Sequence, residues 1–188
     1  MELKEAIYAR RAVRAYDSKP LPKETVESLL RAAVQAPSAM NQQPWAIVVI
    51  QGAELLRQFS DRAKASLLES MDSHSPLHEY RDMLGNPDFD IFYGADTLVV
   101  ICARSGGLNT AEDCCLAAQN LMLAACDLGL GSCPIGFART WLSRPEVKEE
   151  LRIPSDYTPV FPVIVGCPKG EWPPVARHAP QVLAWITP

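Results

Sequence analysis

Apolar positions along the chain recur in two ways, and each predicts an element. At helical spacing they mark residues 2–11, where Leu3, Ile7 and Tyr8 share a side, and a stretch from Pro22 through Val26, Leu29, Leu30, Ala33 and Val34. A proline in the first helical turn lacks only a hydrogen bond that would be absent there anyway, so Pro22 suits a helix start. Pro37 should stop that helix at Ala36, because a residue before proline avoids helical dihedrals. Residues 53–70 return to the same period through Leu55, Leu56, Phe59, Ala63 and Leu67. Continuous β-branched runs at 45–50, 97–103 and 160–165 instead predict buried strands, with a short strand or loop over 132–137 and an exposed helix over 142–151.

The strongest helical stretch is 111–128, with Thr110 and Asp113 spaced like a capping box and Gly129 as a left-handed stop. It is apolar almost all round, from Cys114 and Cys115 to Ala125 and Cys126, so it needs cover on nearly every side. That cover comes either from the chain's own elements or from a second subunit, and the small surface of a short chain favours the second subunit. Residues 74–90, with Pro76, Gly85, Asn86 and Pro87, have no clean period and read as a surface excursion with one helical turn near Glu79 to Leu84. Residues 169–188 hold Pro173, Pro174, Pro180 and Pro188 and are expected to run extended. Short strands mixed with four or five helices give an α/β or α+β sandwich, sheet on one side and long helices on the other.

Composition narrows the function classes. The chain has 188 residues, enough for one domain with a real core. Its 18 Lys and Arg against 22 Asp and Glu give a net charge of −4, which argues against a dedicated nucleic-acid binder. No apolar stretch is long enough to span a bilayer, and the charged start is unlike a signal peptide. The 6 cysteines form no C-x-x-C pair and have no histidine at ligand spacing, so no metal site is expected and a reduced, cytoplasmic protein is the better reading.

Four segments carry candidate chemistry. Arg10 and Arg14 would share a face if the first helix continued, an arrangement suited to holding an anion between guanidinium forks; the alternative is a solvated cationic helix end. Residues 36–45 (Ala-Pro-Ser-Ala-Met-Asn-Gln-Gln-Pro-Trp) place three amides between prolines, able to read a heterocycle edge, or simply to make a stiff turn. Residues 129–137 follow a helix instead of opening one, which rules out a dinucleotide fingerprint and suggests backbone that lets a flat ligand approach. In the fourth, residues 166–177, a strand ends in a proline-rich run carrying Lys169 and Arg177. No serine or cysteine partner is identifiable for His178, so no nucleophilic triad is read.

Taken in order, these segments resemble the nitroreductase family of FMN-dependent oxidoreductases over essentially the whole chain. Residues 10–16 (Arg-Arg-Ala-Val-Arg-Ala-Tyr) are similar to its R-R-S-x-R-x-F start, and residues 36–45 to its A-P-S-x-x-N-x-Q-P-W signature. Asn120-Leu121 and the Leu128-to-Ser132 turn resemble its central dimer helix, and Gly166, Pro168 and Arg177 its closing G-x-P…R pattern.

The resemblance implies an α+β, three-layer-like sandwich in one domain: a mixed, mainly antiparallel sheet of four to five strands flanked by helices. It also implies an obligate homodimer with FMN at the interface, residues 74–90 as a lid and 169–188 as a tail laid over the partner. Arg10 and Arg177 would bind the FMN phosphate, with Arg11 and Ala12 contributing mainly through backbone. Arg14 would lie toward the ribityl and pyrimidine end as an electrostatic stabiliser. Pro37, Ser38, Ala39 and Asn41 would reach the flavin from the other subunit, and Pro134, Ile135 and Gly136 would lie along the ring. Ala12 replaces the family's usual hydroxyl and Val175 a common second cation; Lys169, Asn86 and Arg81 are the nearest substitutes for missing polar groups. The implied activity is hydride transfer from NAD(P)H to a small nitroaromatic or quinone acceptor in ping-pong fashion, with no side-chain nucleophile. The other readings are a dehalogenating or an azoline- or flavin-modifying relative, and a flavin-binding protein without turnover.

Overall fold

In the computed structural model, which describes residues 1–17, 19–72 and 75–188, the apolar runs become one antiparallel sheet. Its strands are β1 (Trp45–Gln51), β2 (Thr97–Arg104), β3 (Gly131–Pro134) and β4 (Tyr157–Gly166), in the order β1-β2-β4-β3. The helices are α1 (Leu3–Ala9), α2 (Lys23–Ala33), α3 (Ala53–Ser70), α4 (Arg81–Gly85), α5 (Thr110–Asp127), α6 (Arg139–Leu142) and α7 (Pro145–Glu150).

Strand β2 shows why the sheet has helices on both faces and not on one. Val99, Ile101 and Ala103 pack with Leu29 of α2 and Ala117, Ala118 and Leu121 of α5. The alternate residues Leu98, Val100 and Cys102 pack with Leu56 and Phe59 of α3 and Trp141 of α6. A strand apolar on both sides has no face to give to water, so the expectation of helices on one side is corrected by β2's own sequence.

Helix α5 lies between the sheet, α1 and α2, and Asn120 Nδ2 donates to Ala32 O at 3.4 Å. Cys114, Ala117, Leu121 and Ala125 are buried, while Glu112, Cys115, Leu116 and Gln119 form an exposed strip. The chain therefore covers most of this helix itself and leaves one edge open. The capping box does not form: Asn109, at φ 55°, precedes the helix, and the Asp113 carboxylate turns to another loop. The stop at Gly129 (φ 70°) does form, with Leu130 N donating to Ala125 O at 2.8 Å and Gly129 N to Cys126 O at 3.0 Å.

Elsewhere α1 ends at Ala9, two residues before the expected boundary, and Pro22 caps α2 instead of entering it. The single helix expected over 142–151 is two short ones, broken ahead of Pro145, with Trp141, Leu142 and Val147 buried. Arg62 stacks over the Phe59 and Trp141 rings at 5.4 and 5.1 Å and clasps Glu150 at 2.9 and 2.6 Å, joining α3 to this pair. In the excursion, residues 78–80 and α4 supply the helical turn, and His74 lies outside the described residues. Buried Lys64 anchors the excursion by donating to Asn86 O (3.2 Å) and Phe89 O (2.6 Å). The tail from Lys169 has no regular element, and its Leu183, Trp185 and Ile186 are 90%, 84% and 92% exposed, so the described residues leave them uncovered.

All six cysteines are free. Burial pushes the Cys102 thiol up to about 11 and Cys114 up to about 12, from an ordinary value near 9. The folded chain thus keeps protons that the unfolded chain releases. Their stabilising effect is complete below pH 9 and is lost as pH rises toward 11–12. Urea midpoints should be flat to pH 8 and fall above pH 9, by at most about 1.4 kcal/mol per pH unit per thiol. Cys114→Ala should flatten that fall, and an unchanged slope in this variant would contradict the assignment.

Candidate functional site

After Ala9 the chain leaves the helix at Arg10 (φ −58°, ψ 130°) and runs extended beside β3. Arg10 and Arg14 consequently do not share a helical face. Ala12 forms a parallel bridge with Ser132, Val13 N donates to Ser132 O at 3.0 Å, and Tyr16 bridges antiparallel to Pro168. The buried Tyr16 phenol donates to Val13 O at 2.9 Å. This approach needs two glycines. A Cβ at Gly131 would lie 2.8 Å from Val13 Cβ, and one at Gly166 would lie 2.9 Å from Tyr16 Cδ1. Residues 10–14 are thereby fixed along the β3 edge.

Two clefts open from that edge. The first, about 270 Å³, is lined by Arg10, Arg11, Gly129, Gly131, Ser132 and Trp172. Arg11 is engaged there: its guanidinium donates to Ala9 O at 2.7 Å and to Trp172 O, tying the start of the tail to the end of α1. Arg10 makes no ion pair among the described residues and leaves its charge to the cleft.

The second cleft, about 320 Å³, is lined by Arg14, Tyr93, Cys133, Ile135, Gly136 and Phe137. Burial holds the Tyr93 phenol above its ordinary value, against the opposing pull of Arg14, so it is neutral at physiological pH. Burial likewise raises the Cys133 thiol, against Arg14 and Arg10. Beyond Pro134, Ile135 and Gly136 lies a larger apolar cleft of about 630 Å³, reaching Cys115 and Leu116 on the open strip of α5. No atom lies within 4 Å of where a Gly136 Cβ would stand, so its face is open.

The amide-rich loop is built separately. Met40, Asn41 and Gln43 take left-handed φ values of 50°, 54° and 48°. Ala39 N donates to both carboxylate oxygens of buried Asp113 at 3.2 Å, Gln43 N to Ser38 Oγ at 2.9 Å, and Gln43 Nε2 to Asn41 Oδ1 at 3.1 Å. This loop lies at the start of α5 and lines none of the three clefts.

The structure therefore places Arg10, Arg11, Ala12, Arg14, Pro134, Ile135 and Gly136 along one edge. It does not bring Pro37, Ser38, Ala39 and Asn41 to that edge within the chain, and Arg177 sits on the exposed tail. Asn86 uses its side-chain oxygen on Asp88 N at 2.9 Å, and Arg81 and Lys169 are exposed. Sequence reasoning missed Tyr93, Cys133 and Trp172 as lining residues. A signal for Tyr93 was present in Asp90 and Gly94, a spacing that suits a side-chain-capped turn.

The Nitroreductase family model matches residues 7–167. A protein of Archaeoglobus fulgidus, provisionally described as an NADH dehydrogenase/NAD(P)H nitroreductase, is 30% identical over 175 residues, covering 90% of this chain and 87% of that protein. A nitroreductase of Bacteroides fragilis with bound FMN superimposes with a TM-score of 0.85 and 27% identity, covering 100% of this chain and 99% of that one. An iodotyrosine deiodinase bound to FMN and 3-iodo-L-tyrosine aligns with a TM-score of 0.74 and 26% identity, covering 96% and 97% of the two chains.

Gly131→Ala tests the close approach on which the edge depends. The added methyl meets a β-branched, buried side chain, so urea denaturation should show a loss of roughly 1–3 kcal/mol. A loss below about 0.5 kcal/mol, the usual range for a surface substitution, would mean that Val13 is not held against β3.

Proposed function

The chain belongs to the nitroreductase family, and from that premise we propose that it is an FMN-dependent oxidoreductase taking hydride from NAD(P)H and reducing a small nitroaromatic or quinone acceptor in ping-pong fashion. The observation that carries this reading is the β3 edge: Arg10 lines one cleft beside Gly131 and Ser132, and Arg14 lines the next beside residues 134–136. Among the described residues no three of His, Cys, Asp and Glu converge as metal ligands.

The edge has the donor set that FMN needs. Arg10, unpaired in its cleft, suits the phosphate, where a guanidinium fork bonds two oxygens at once. Arg11 is held by Trp172, which leaves its backbone and that of Ala12 for the same end. Pro134, Ile135 and Gly136 offer a flat wall, and the bare face of Gly136 lets a ring lie close. Bound FMN supplies the hydride chemistry, while the protein supplies binding, orientation and field. Arg14, lining the same cleft, stabilises negative charge there. The described part of the expected lid, residues 75–90, excludes water from the cleft: Leu77 borders it, and the Tyr80 ring meets Phe137 edge-on at 5.7 Å.

The site is completed by a second copy of the chain, which contributes Pro37, Ser38, Ala39, Asn41 and the tail carrying Arg177. Three features support this: the loop is preformed away from its own clefts, the α5 strip is open, and the apolar tail is uncovered. No helix among the described residues is long and apolar enough to cross a membrane, and six free cysteines suit a reducing cytoplasm. A second reading, reductive dehalogenation, is favoured by the likeness to the iodotyrosine deiodinase.

Purified protein should be yellow and dimeric, bleach anaerobically with NADH or NADPH, and recolour with nitro or quinone acceptors. Recolouring by halogenated aromatics alone would select the second reading. Arg10→Ala and Arg177→Ala should each weaken FMN binding roughly 10- to 100-fold, the loss of one charge-assisted hydrogen bond. A colourless monomer that FMN cannot reconstitute would contradict the proposal.

A further inference from the structure

Tyr93 stands in a conformation that a bulky side chain adopts only under constraint. Its φ is 55°, and the next residue, Gly94, is also left-handed at 74°. Asp90 enforces this turn with every oxygen on hand: Oδ1 accepts from Phe92 N at 2.9 Å, Oδ2 from Gly94 N at 2.8 Å, and the backbone carbonyl from Tyr93 N at 3.0 Å. Its neighbours Ile91 and Phe92 go fully into the core, whereas Tyr93 is aimed at the cleft wall beside Arg14 and is only half-buried. The ring is steadied edge-on by Phe89 at 5.9 Å. Packing and turn geometry would be served by phenylalanine or glycine, so the hydroxyl is the part left to explain.

We infer that Tyr93 is a positioning residue whose phenol oxygen receives the Arg14 guanidinium and fixes it at the head of the 133–137 cleft. Arg14 lines the same cleft as Tyr93, and its charge acts on the phenol against the effect of burial. No carboxylate pairs with Arg14 among the described residues. The choice of partner matters electrostatically. A carboxylate would hold the arginine but cancel its charge; a neutral phenol orients the guanidinium and leaves the whole positive charge for the ligand. Arginine has many rotamers to lose, so a fixed acceptor keeps its charge in place before the ligand arrives.

This inference rests on the reading that FMN lies along residues 134–136, and it makes Tyr93 act on the reduced cofactor more than on the oxidised one, because only the reduced ring carries the added negative charge. Tyr93→Phe keeps the ring and its contact with Phe89. The test compares the midpoint potential of bound FMN and the dissociation constant of oxidised FMN in wild type, Tyr93→Phe, Arg14→Gln and the double variant. Tyr93→Phe should leave oxidised FMN binding within about threefold, the scatter expected for an untouched ground state. It should weaken the hold on reduced FMN about tenfold, which for a two-electron couple is a potential about 30 mV more negative. In the Arg14→Gln background the same substitution should move nothing further. A wild-type potential in Tyr93→Phe, or an undiminished shift in the absence of Arg14, would overturn the positioning role while leaving the FMN reading intact. Wild-type protein that takes up no FMN would overturn both.

Discussion

The absence of two β-carbons, at Gly131 and Gly166, is the constraint from which the site is built. Only with those positions bare can Val13 and Tyr16 lie against the ends of β3 and β4. The segment is then held by Val13 N to Ser132 O, Asp17 N to Cys167 O and Lys169 N to Ala15 O, each at 3.0 Å. Those bonds use polar groups that an edge strand would otherwise expose, and they turn β3 from a bare edge into a paired one. They also carry the arginines: with Val13 and Tyr16 buried, Arg10, Arg11 and Arg14 are arranged along the rim of the sheet.

Within that row the three cations divide their work by what surrounds them. Arg11 is satisfied by two carbonyls and serves as a clamp on the tail. Arg10 keeps its charge for the first cleft, and Arg14 keeps its own beside a neutral phenol. The amide loop is a second preformed piece, its left-handed residues tied to the first turn of α5 by Asp113. Its polar groups are ordered before any ligand arrives, which lowers the entropic cost of binding. Under the proposed reading, the two pieces meet only when two chains do.

Much of this architecture is legible in the sequence, and the exceptions have physical reasons. The central strand was readable because a continuous apolar run can only be buried on both faces. Strand β4 starts three residues earlier than its apolar run suggests, at Tyr157, in spite of Pro159 and Pro162. The prolines are tolerated because β3 pairs only with 163–166, so the first half of β4 has no ladder bond to lose on that side. The boundaries of α1 and the cap of α5 were misplaced because each is decided by a distant contact, Val13 on β3 and Ala39 on Asp113. The arginine row was legible as a motif, but its geometry was not: helical spacing predicted a shared face, and the pairing of Ala12 with Ser132 replaced it with an extended edge. Tyr93 lay outside every periodic segment: Asp90 and Gly94 mark its turn locally, but its role depends on a partner 79 positions away, which no local pattern names.

The most direct test of the central claim is a crystal structure of the protein grown with FMN. The account predicts the ring lying on residues 134–136, its phosphate on Arg10, its electron-rich edge toward Arg14, and residues 37–41 of a second copy closing over it. Flavin bound elsewhere, or enclosed at this edge by a single chain, would contradict it.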